Sequence, residues 1–376
     1  MITTRYWFEK AEYEQRLGQV QQQLVAKGYD ALLAFMPESV TWLTGFFTRA
    51  YSSFQFAIIP ANGEPTVICR DVEEYYLDST CLYSDRVMWS DSDDKTDVAV
   101  QAIRSRLGHS PRLAVEMGAW PLSVARYNGI KGGLPAALML DESHLVTQMR
   151  FIKSPAEIAY QRRAAGAAEA GMTAAIASAR PGVSEREMAA EICSAMIRAG
   201  SDLPGPGVMS SGERAYHLHG GYSDRVLAQG DIVQIETTPN VRHYHARFMR
   251  PVRVGEASDE DLRVVEQLIA IQDAALAEVK PGVAGSLPDA IYREGVLAAG
   301  LRETYTNKTF YSVGLLLAPS GGEPLEAAPG CTWHFSPGMT FHTYVLARGF
   351  GMSETITITD DGYERLTRYP RRLFIS

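Results

Sequence analysis

The sequence has few cysteines, and none of them lies at the short spacing that binds zinc or forms a redox-active dithiol. The 376 residues include four cysteines, Cys69, Cys81, Cys193 and Cys331. The absence of a CxxC motif argues against a zinc ribbon and a thioredoxin-like site. We expect four reduced thiols. A chain of this length, 46% hydrophobic, can form a core without disulfides.

An excess of basic residues and a long apolar run are also absent. The 44 acidic residues outnumber the 36 lysines and arginines, which gives a net charge of −8 and argues against nucleic acid as a partner. The first residues lack the basic start and apolar run of a signal peptide. No stretch approaches the roughly 20 apolar residues of a membrane helix. We therefore expect a cytoplasmic protein with no nucleic-acid or membrane partner.

The first 150 residues alternate predicted strands and helices, which is typical of an α/β domain. The spacing of apolar residues and the positions of turn residues carry this prediction. The predicted elements are a helix over 10–28, a strand at 31–35, a hairpin over 54–70 with its turn at Asn62-Gly63, a helix over 97–107 and a strand at 112–117.

A strong helix start marks the second part of the chain. Ser154 at the N-cap, Pro155 at the first helical position and Glu157 three residues after Ser154 form a capping box. We place the domain boundary near Phe151, which gives domains at 1–150 and 151–376. The pattern beyond it is two helices, strands, two helices and strands. The predicted helices are 155–179, 184–199, 258–278 and 285–299, and the predicted strands are 208–212, 225–236, 241–254, 309–317, 338–346 and 352–359.

The stretch QGDIVQIETTPNVRHYHARFMR, residues 229–250, predicts two strands joined by a turn at Thr238-Pro239-Asn240. The first strand carries one acid, Glu236. The second carries charged and titratable side chains at His243, His245, Arg247 and Arg250. A metal site would need more acids, and an ordinary core strand would need fewer charges. Since 247 and 250 point to opposite faces of a strand, both could reach one site only across a bulge.

Six of the eight histidines lie beyond residue 200. Because imidazole titrates near neutral pH, several histidines close to acids and arginines favour an active site. His219 is the candidate proton donor. It precedes Gly220-Gly221, which lets the backbone approach a ligand. The alternative is a loop histidine held by hydrogen bonds.

Six motifs together resemble one known family. MRFIKSPAEIAYQRRAA, HGGYSDRVLAQGD, YHARFMR, YSVG, SPGMTF and SETITITDDGYERLT follow in the order of the creatinase/aminopeptidase P/prolidase family. The resemblance implies an α+β protein in which a pita-bread catalytic domain follows a smaller α/β creatinase-type domain. It also implies a homodimer in which Arg49 or Tyr51 of one subunit borders the other subunit's site.

Metal-dependent members of that family hold two metal ions with two Asp, one His and two Glu. The positions that match by motif are Glu236, Arg247, Tyr311, Tyr344 and Ser353. One acid remains of the five ligands, and an arginine cannot lose its proton in a protein. We therefore predict no metal and no other cofactor.

Two metal-free branches of the family are enzymes. Met249 and Ser353 stand where creatinase has the glutamates that hold creatine, so creatine is not the expected substrate. Ectoine hydrolases are more similar, and in that branch the residue matching Glu236 is thought to attack the substrate carbon. PSGGEP, residues 319–324, departs from that branch because it lacks an expected Trp and Asp. The matching positions are Glu236, Tyr244-His245, Arg250, 311–314, Gly322-Glu323, 339–342 and 353–355.

The expected function is hydrolysis of an amide, cyclic amidine or guanidine C–N bond in a small polar metabolite. Glu236 would act as nucleophile or base, His219 as proton donor, and an arginine as the carboxylate anchor. The predicted substrate-binding residues are Arg247, Arg250, Tyr244, His245, Tyr311, Glu323, His342, Tyr344 and Glu354.

Several alternatives to these roles stay open. Glu236 and Arg247 could form a purely structural ion pair, and Arg250 could cap the rim of the barrel. Glu323 and Glu354 could be solvated or could pair with nearby arginines. At the level of function, the alternatives are a metal-dependent Xaa-Pro dipeptidase or aminopeptidase, and a catalytically inactive protein that binds a small molecule.

Overall fold

The structure, a computed structural model, describes residues 6–205 and 207–376. The chain separates into two compact units, Met1–Met149 and Arg150–Ser376. Each unit has its own buried apolar cluster or clusters. Within the described residues, no helix is both long and apolar enough to cross a bilayer.

The first unit contains a six-stranded mixed sheet. The strand order is β4-β3-β2-β1-β5-β6. β1 is buried along its length, antiparallel to β2 and parallel to β5. The predicted hairpin over 54–70 is confirmed, because β2 and β3 pair antiparallel. The strands are β1 (Ala31–Ala34), β2 (Phe56–Pro60), β3 (Thr66–Arg70), β4 (Arg86–Trp89), β5 (Arg112–Val115) and β6 (Leu138–Asp141), and the helices are α1 (Lys10–Lys27), α2 (Pro37–Thr44), α3 (Glu74–Thr80), α4 (Lys95–Leu107), α5 (Val124–Gly133) and α6 (Leu145–Arg150).

The second unit combines two pairs of helices with two larger sheets. Its helices are α7 (Pro155–Ser178), α8 (Glu185–Arg198), α9 (Asp259–Ala277) and α10 (Ser286–Ala298). Its strands are β7 (Met209–Ser211), β8 (Ile232–Thr237), β9 (Asn240–Val241), β10 (Tyr244–His245), β11 (Phe248–Arg253), β12 (Phe310–Ser312), β13 (Glu326–Ala327), β14 (Thr340–Ala347), β15 (Phe350–Ile358), β16 (Tyr363–Arg365) and β17 (Phe374–Ile375). The sheets have the orders β17-β11-β8-β7 and β13-β12-β14-β15-β16, and β9 pairs with β10.

Each helix pair shares an apolar core with one of the two sheets. Met172 of α7 belongs to the same buried cluster as Ile235 of β8. Leu268 of α9 belongs to a second cluster with Phe341 of β14. This arrangement explains the near-duplicated order of elements in the sequence, because each half must cover one face of a sheet.

The predicted helix starts in this unit are confirmed. Ser154 and Glu157 form a capping box at the start of α7, and Ser184 and Glu187 form one at the start of α8. The side chain and backbone of each pair satisfy two amide groups that a helix start leaves without partners. The capping residues can be identified from sequence because the partners lie three positions apart.

The predicted hairpin over 229–250 differs in detail. β8 does pair antiparallel with β11, but the chain runs on past 238–240 and reverses at Arg242 and His243, both with positive φ. The predicted turn was therefore wrong. The predicted second strand is also interrupted, because His243 occupies the turn between β9 and β10. Two predicted strands are also shorter: 225–236 begins at Ile232, and 309–317 spans only β12.

Candidate active site

A cavity of about 460 Å³ lies in the second unit. It is lined by side chains from both sheets and from the loop that precedes β8. Polar groups of both charges face it beside apolar ones, which is typical of a site for a small polar ligand. The lining residues are Val208, Leu218, His219, Glu236, Arg247, Met249, Lys308, Tyr311, Gly321, Gly322, Glu326, His342 and Tyr344.

Glu236 lies on β8, directly opposite Met249 of β11. The residue is 5% exposed. Its Oε1 has no hydrogen-bond partner among the described residues, and the nearest charged or titratable contact is His342 Nε2 at 3.5 Å. Burial raises the pKa of Glu236 above its ordinary value, and the Arg247 guanidinium partly opposes this shift. A carboxyl group with a raised pKa suits acid–base or nucleophilic chemistry near neutral pH.

Arg247 brings a positive charge to the cavity that Glu236 lines. Its backbone N–H donates to Thr355 Oγ1 at 2.8 Å, and its Nη1 donates to Tyr311 Oη at 3.1 Å. Its Nε, by contrast, has no acceptor within the described parts of the chain. Burial alone would lower the pKa of Arg247, but Tyr311 and Glu236 outweigh it and raise that pKa, so the guanidinium stays charged. It can therefore stabilise a developing negative charge or hold a carboxylate.

His342 lies on β14 between Glu236 and Ser353. Its Nε2 is 2.8 Å from Ser353 Oγ, which also accepts a hydrogen bond from Met249 N at 2.6 Å. Burial, together with Arg247, lowers the pKa of His342 well below its ordinary value, so the ring is neutral. Both Ser353 and Glu236 approach the same ring nitrogen. The group is therefore not a Ser-His-Glu triad, in which the histidine uses its two nitrogens separately.

His219 enters the cavity from the loop before β8. The residue is exposed and has a positive φ of 65°, a backbone conformation that non-glycine residues adopt infrequently. Leu218 beside it also lines the cavity. The structure therefore brings together both predicted catalytic residues, His219 and Glu236, with four of the predicted binding residues: Arg247, Tyr311, His342 and Tyr344.

The residues at the family's metal-ligand positions do not fit a pair of metal ions. Glu236 is the one carboxylate among the five, and Arg247 places a permanent cation beside it. Burial raises the pKa values of Tyr311 and Tyr344, so both phenols stay protonated and are poor ligands. Across residues 6–205 and 207–376, no group of three or more His, Cys, Asp or Glu side chains could hold a metal ion. Divalent metals need several deprotonated ligands.

Arg250 and Glu354 were predicted to bind substrate, and the structure places them away from the cavity. Both side chains are fully buried, with Arg250 Nη2 2.7 Å from Glu354 Oε1. Arg250 also donates to four backbone carbonyls, and Glu354 accepts from Thr367 Oγ1. These donors and acceptors are used inside the protein, so the geometry favours the alternative in which Glu354 pairs with an arginine.

Glu323, also a predicted binding residue, is a buried anchor beside the cavity. It forms ion pairs with Lys153 and, at 3.3 Å, with Arg150, and it accepts a hydrogen bond from Ser312 Oγ at 2.6 Å. The partners fix the loop that carries Gly322. The structure therefore assigns its carboxylate to internal contacts and corrects the predicted contact with substrate.

Tyr244 and His245 also lie outside the cavity lining. Tyr244 is fully buried, its Oη donates to Glu157 Oε1 at 2.7 Å, and its ring stacks on Tyr160. His245 Nε2 lies 3.3 Å from Leu316 O. Both residues connect the β9–β10 hairpin to neighbouring segments, so their predicted role in binding substrate is corrected as well.

Lys308 and Glu326 line the cavity but were not identified from the sequence. They form a partly exposed ion pair with each other, and the Lys308 ammonium lies over the Tyr311 ring at 5.1 Å from its centroid. Their positions, on either side of β12 and 18 residues apart, follow no motif. Only the pairing of β12 with β13 brings them to one edge.

Known proteins match the chain over almost its full length. Residues 16–152 match the model of the creatinase/prolidase N-terminal domain, and residues 159–360 match that of metallopeptidase family M24. A Sinorhizobium fredii protein named uncharacterized hydrolase/peptidase y4tL is 31% identical over 98% of this chain and 97% of its own. The ectoine hydrolase of Halomonas elongata is 28% identical over 100% of both chains. The prolidase of Thermococcus sibiricus has a similar fold, with a TM-score of 0.86, 24% identity and coverage of 97% of this chain and 99% of its own.

These matches confirm the predicted fold class. The first unit corresponds to the creatinase-type α/β domain and the second to the pita-bread domain. Together they form the α+β, two-domain architecture expected from the motif order.

Proposed function

Because this chain belongs to metallopeptidase family M24, whose members are hydrolases, we propose that it hydrolyses a C–N bond without a metal ion. The substrate is a small, polar, nitrogen-containing metabolite with an amide, cyclic amidine or guanidine group. Glu236 is the nucleophile or general base, and His219 is the proton donor. Arg247, Tyr311, His342 and Tyr344 form the binding surface.

One observation carries this proposal. The buried carboxylate of Glu236, with one oxygen that has no partner among the described residues, lines the same cavity as the Arg247 guanidinium. A buried polar atom without a partner destabilises a protein by about 1–3 kcal/mol. Retaining such an atom beside a cavity favours a role in ligand chemistry over a role in stability.

The reaction adds water across the C–N bond. An oxygen of Glu236 attacks the carbon, or removes a proton from the water that does, and the carbon becomes tetrahedral. The Arg247 guanidinium lies where it can stabilise the negative charge that develops on the substrate. His219 gives a proton to the nitrogen as the C–N bond breaks, and the amine leaves. If Glu236 is the base, the water oxygen stays on the carbon as the new carbonyl product, and Glu236 then releases the proton it took. If Glu236 is the nucleophile, a water molecule hydrolyses the resulting ester, which frees the carbonyl product and restores the carboxylate. A general acid of this kind contributes about 10²–10⁴-fold to the rate.

The similarity to ectoine hydrolase over the whole chain supports a substrate other than a peptide. The size of the cavity agrees with this, since about 460 Å³ suits a metabolite. The family resemblance also supports a homodimer. Light scattering coupled to size-exclusion chromatography tests the dimer, and a mass equal to one chain would contradict it.

Turnover of a defined panel tests the chemistry. The purified protein is incubated with N-acyl diamino acids, cyclic amidines and guanidino acids, and amine release is followed by NMR. On the substrate that turns over, Glu236→Gln should lower kcat by at least about 100-fold. Glu326→Gln is the matched control, since Glu326 lines the same cavity but is already paired with Lys308. It should change KM more than kcat.

The same panel, together with metal analysis, distinguishes the alternative functions. Near-normal kcat in Glu236→Gln removes this residue from the mechanism. Binding without turnover across the panel supports a catalytically inactive binding protein. About two divalent ions per chain, with activity lost on treatment with dipicolinate and restored by metal, would overturn metal independence and favour an Xaa-Pro dipeptidase.

A further inference from the structure

The loop that carries His219 is tied at both ends to one buried carboxylate. We call residues 212–223 the histidine loop. Glu185, the first residue of α8, is fully buried. Its Oε1 accepts hydrogen bonds from Ser211 N at 2.8 Å and Ser211 Oγ at 2.7 Å, just before the loop. Its Oε2 accepts from Ser223 N and Ser223 Oγ, both at 2.7 Å, at the end of the loop.

A third residue of the loop completes this anchor. Arg214 Nη1 donates to Glu185 Oε2 at 2.8 Å and to Ser223 Oγ at 2.9 Å, and Arg214 Nη2 donates to Gly221 O. Burial acts to raise the pKa of Glu185, but the hydrogen bonds from Ser211, Ser223 and Arg214 lower it overall. The carboxylate is therefore ionised, and hydrogen bonds to an ionised group are the stronger kind.

The middle of the loop is held close to β7. Met209 N donates to Gly220 O at 2.9 Å. A Cβ on Gly220 would lie 2.7 Å from the Ser210 side chain, so only glycine permits this approach. Gly220 directly follows His219, which faces the cavity. The hydrogen bonds at the two ends of the loop and the contact at Gly220 therefore restrain the backbone that carries His219.

We propose that Glu185 is a positioning residue that holds His219 at the cavity by fastening both ends of the histidine loop. This inference rests on the proposed function only in the role given to His219, because the anchor itself is independent of any reaction. Within the described parts of the chain, the hydrogen-bond partners of the Glu185 carboxylate are Ser211, Ser223 and Arg214, none of which lines the cavity. Glu185 acts through these three residues.

The experiment follows His219 itself, in the full-length protein and without substrate. Histidine ring C–H signals are recorded by ¹H–¹³C NMR, and His219→Gln assigns the His219 signal. Amide hydrogen exchange is measured in parallel. Glu185→Gln should shift and broaden the His219 signal and speed exchange across the histidine loop by roughly ten- to 100-fold, since hydrogen bonds to a charged group are lost.

A control variant and a milder variant distinguish loss of the loop anchor from general destabilisation. Glu187→Gln makes the same substitution two residues along α8, where the glutamine oxygen can still accept the capping-box hydrogen bond from Ser184 N, and it does not touch the loop. It should leave the His219 signal unchanged. Ser223→Ala keeps the carboxylate and the Ser223 N–H bond, so it should fold and give a smaller change confined to the same loop.

Two results would overturn the proposal. One is a native His219 signal and native loop exchange in both Glu185→Gln and Ser223→Ala. The other is faster exchange spread evenly over residues 150–376, which would show general destabilisation. Full turnover by His219→Ala would instead refute the proposed function, and it would leave the anchoring of the loop intact.

Discussion

Arg250 and Glu354 were predicted to bind substrate, but the structure places them in a buried ion pair, and their effect on stability distinguishes the two roles. Both side chains are fully buried at 2.7 Å from each other. Removing one member of a buried pair leaves the other charge without compensation and destabilises a protein by about 3–5 kcal/mol. We therefore expect Glu354→Gln to lower the free energy of unfolding of the second unit by this amount.

Arg250→Met should destabilise the second unit more than Glu354→Gln. The guanidinium also donates to the carbonyl oxygens of Met249, Ser353, Tyr369 and Pro370, each at 2.8 Å, and all four lose this donor. The double variant should lose less than the sum of the two single losses, because neither charge is then left alone. A coupling energy of about 0.5–3 kcal/mol is expected for residues in one network.

Urea unfolding of 5-fluorotryptophan-labelled protein measures this loss unit by unit. Residues 150–376 contain a single tryptophan, Trp333, so its ¹⁹F signal reports on the second unit. The control is Glu260→Gln, which removes an exposed ion pair with Arg348 and should leave the midpoint unchanged. A native midpoint for Glu354→Gln, with ligand binding or turnover lost, would refute the structural assignment and restore the predicted contact with substrate.

Two further perturbations test the surroundings of the site. Burial and Arg247 lower the pKa of His245 to about 3, so between that value and about 6.5 the unfolded chain binds one more proton and stability falls as pH falls. His245→Gln should remove from the free energy of unfolding, measured with urea, a pH dependence that approaches about 1.4 kcal/mol per pH unit between pH 6 and pH 5, and an unchanged slope would contradict the neutral ring. Gly207→Ala should destabilise strongly, because φ is +72° and the Cβ would lie 1.9 Å from Glu236 O, whereas Gly221→Ala has nothing within 4 Å. Equal thermal midpoints for the two alanine variants would show that the backbone at Gly207 is not restrained.

The fold and part of the candidate site could be predicted from residues that lie close together in the sequence. The capping boxes at Ser154 and Ser184, the Asn62-Gly63 hairpin and the order of the motifs all depend on residues close in sequence, and each was found without the structure. Glu236 and His219 could be singled out for a similar reason. A lone acid on an apolar strand and a histidine before two glycines conflict with a purely structural pattern.

Partners distant in sequence could not be assigned in this way. Arg250 meets Glu354 only because β11 lies against β15, and these two residues are 104 positions apart in sequence. The same applies to Glu323, whose partner Lys153 is 170 positions away. The residue type gives the charge of such a side chain, but whether the side chain faces a cavity or a buried counterion depends on how the strands pack.

The sequence by itself determined the two-domain α+β fold, the family and the unusual residues at the metal-ligand positions, because these are encoded in short motifs and residue types. Only the tertiary structure decided which charges remain available to a ligand. Arg247 faces the cavity with an unpartnered Nε among the described residues, whereas Arg250, three positions on, is fully used by internal contacts. The physical reason is that hydrogen-bond satisfaction belongs to the packed arrangement and not to the residue type.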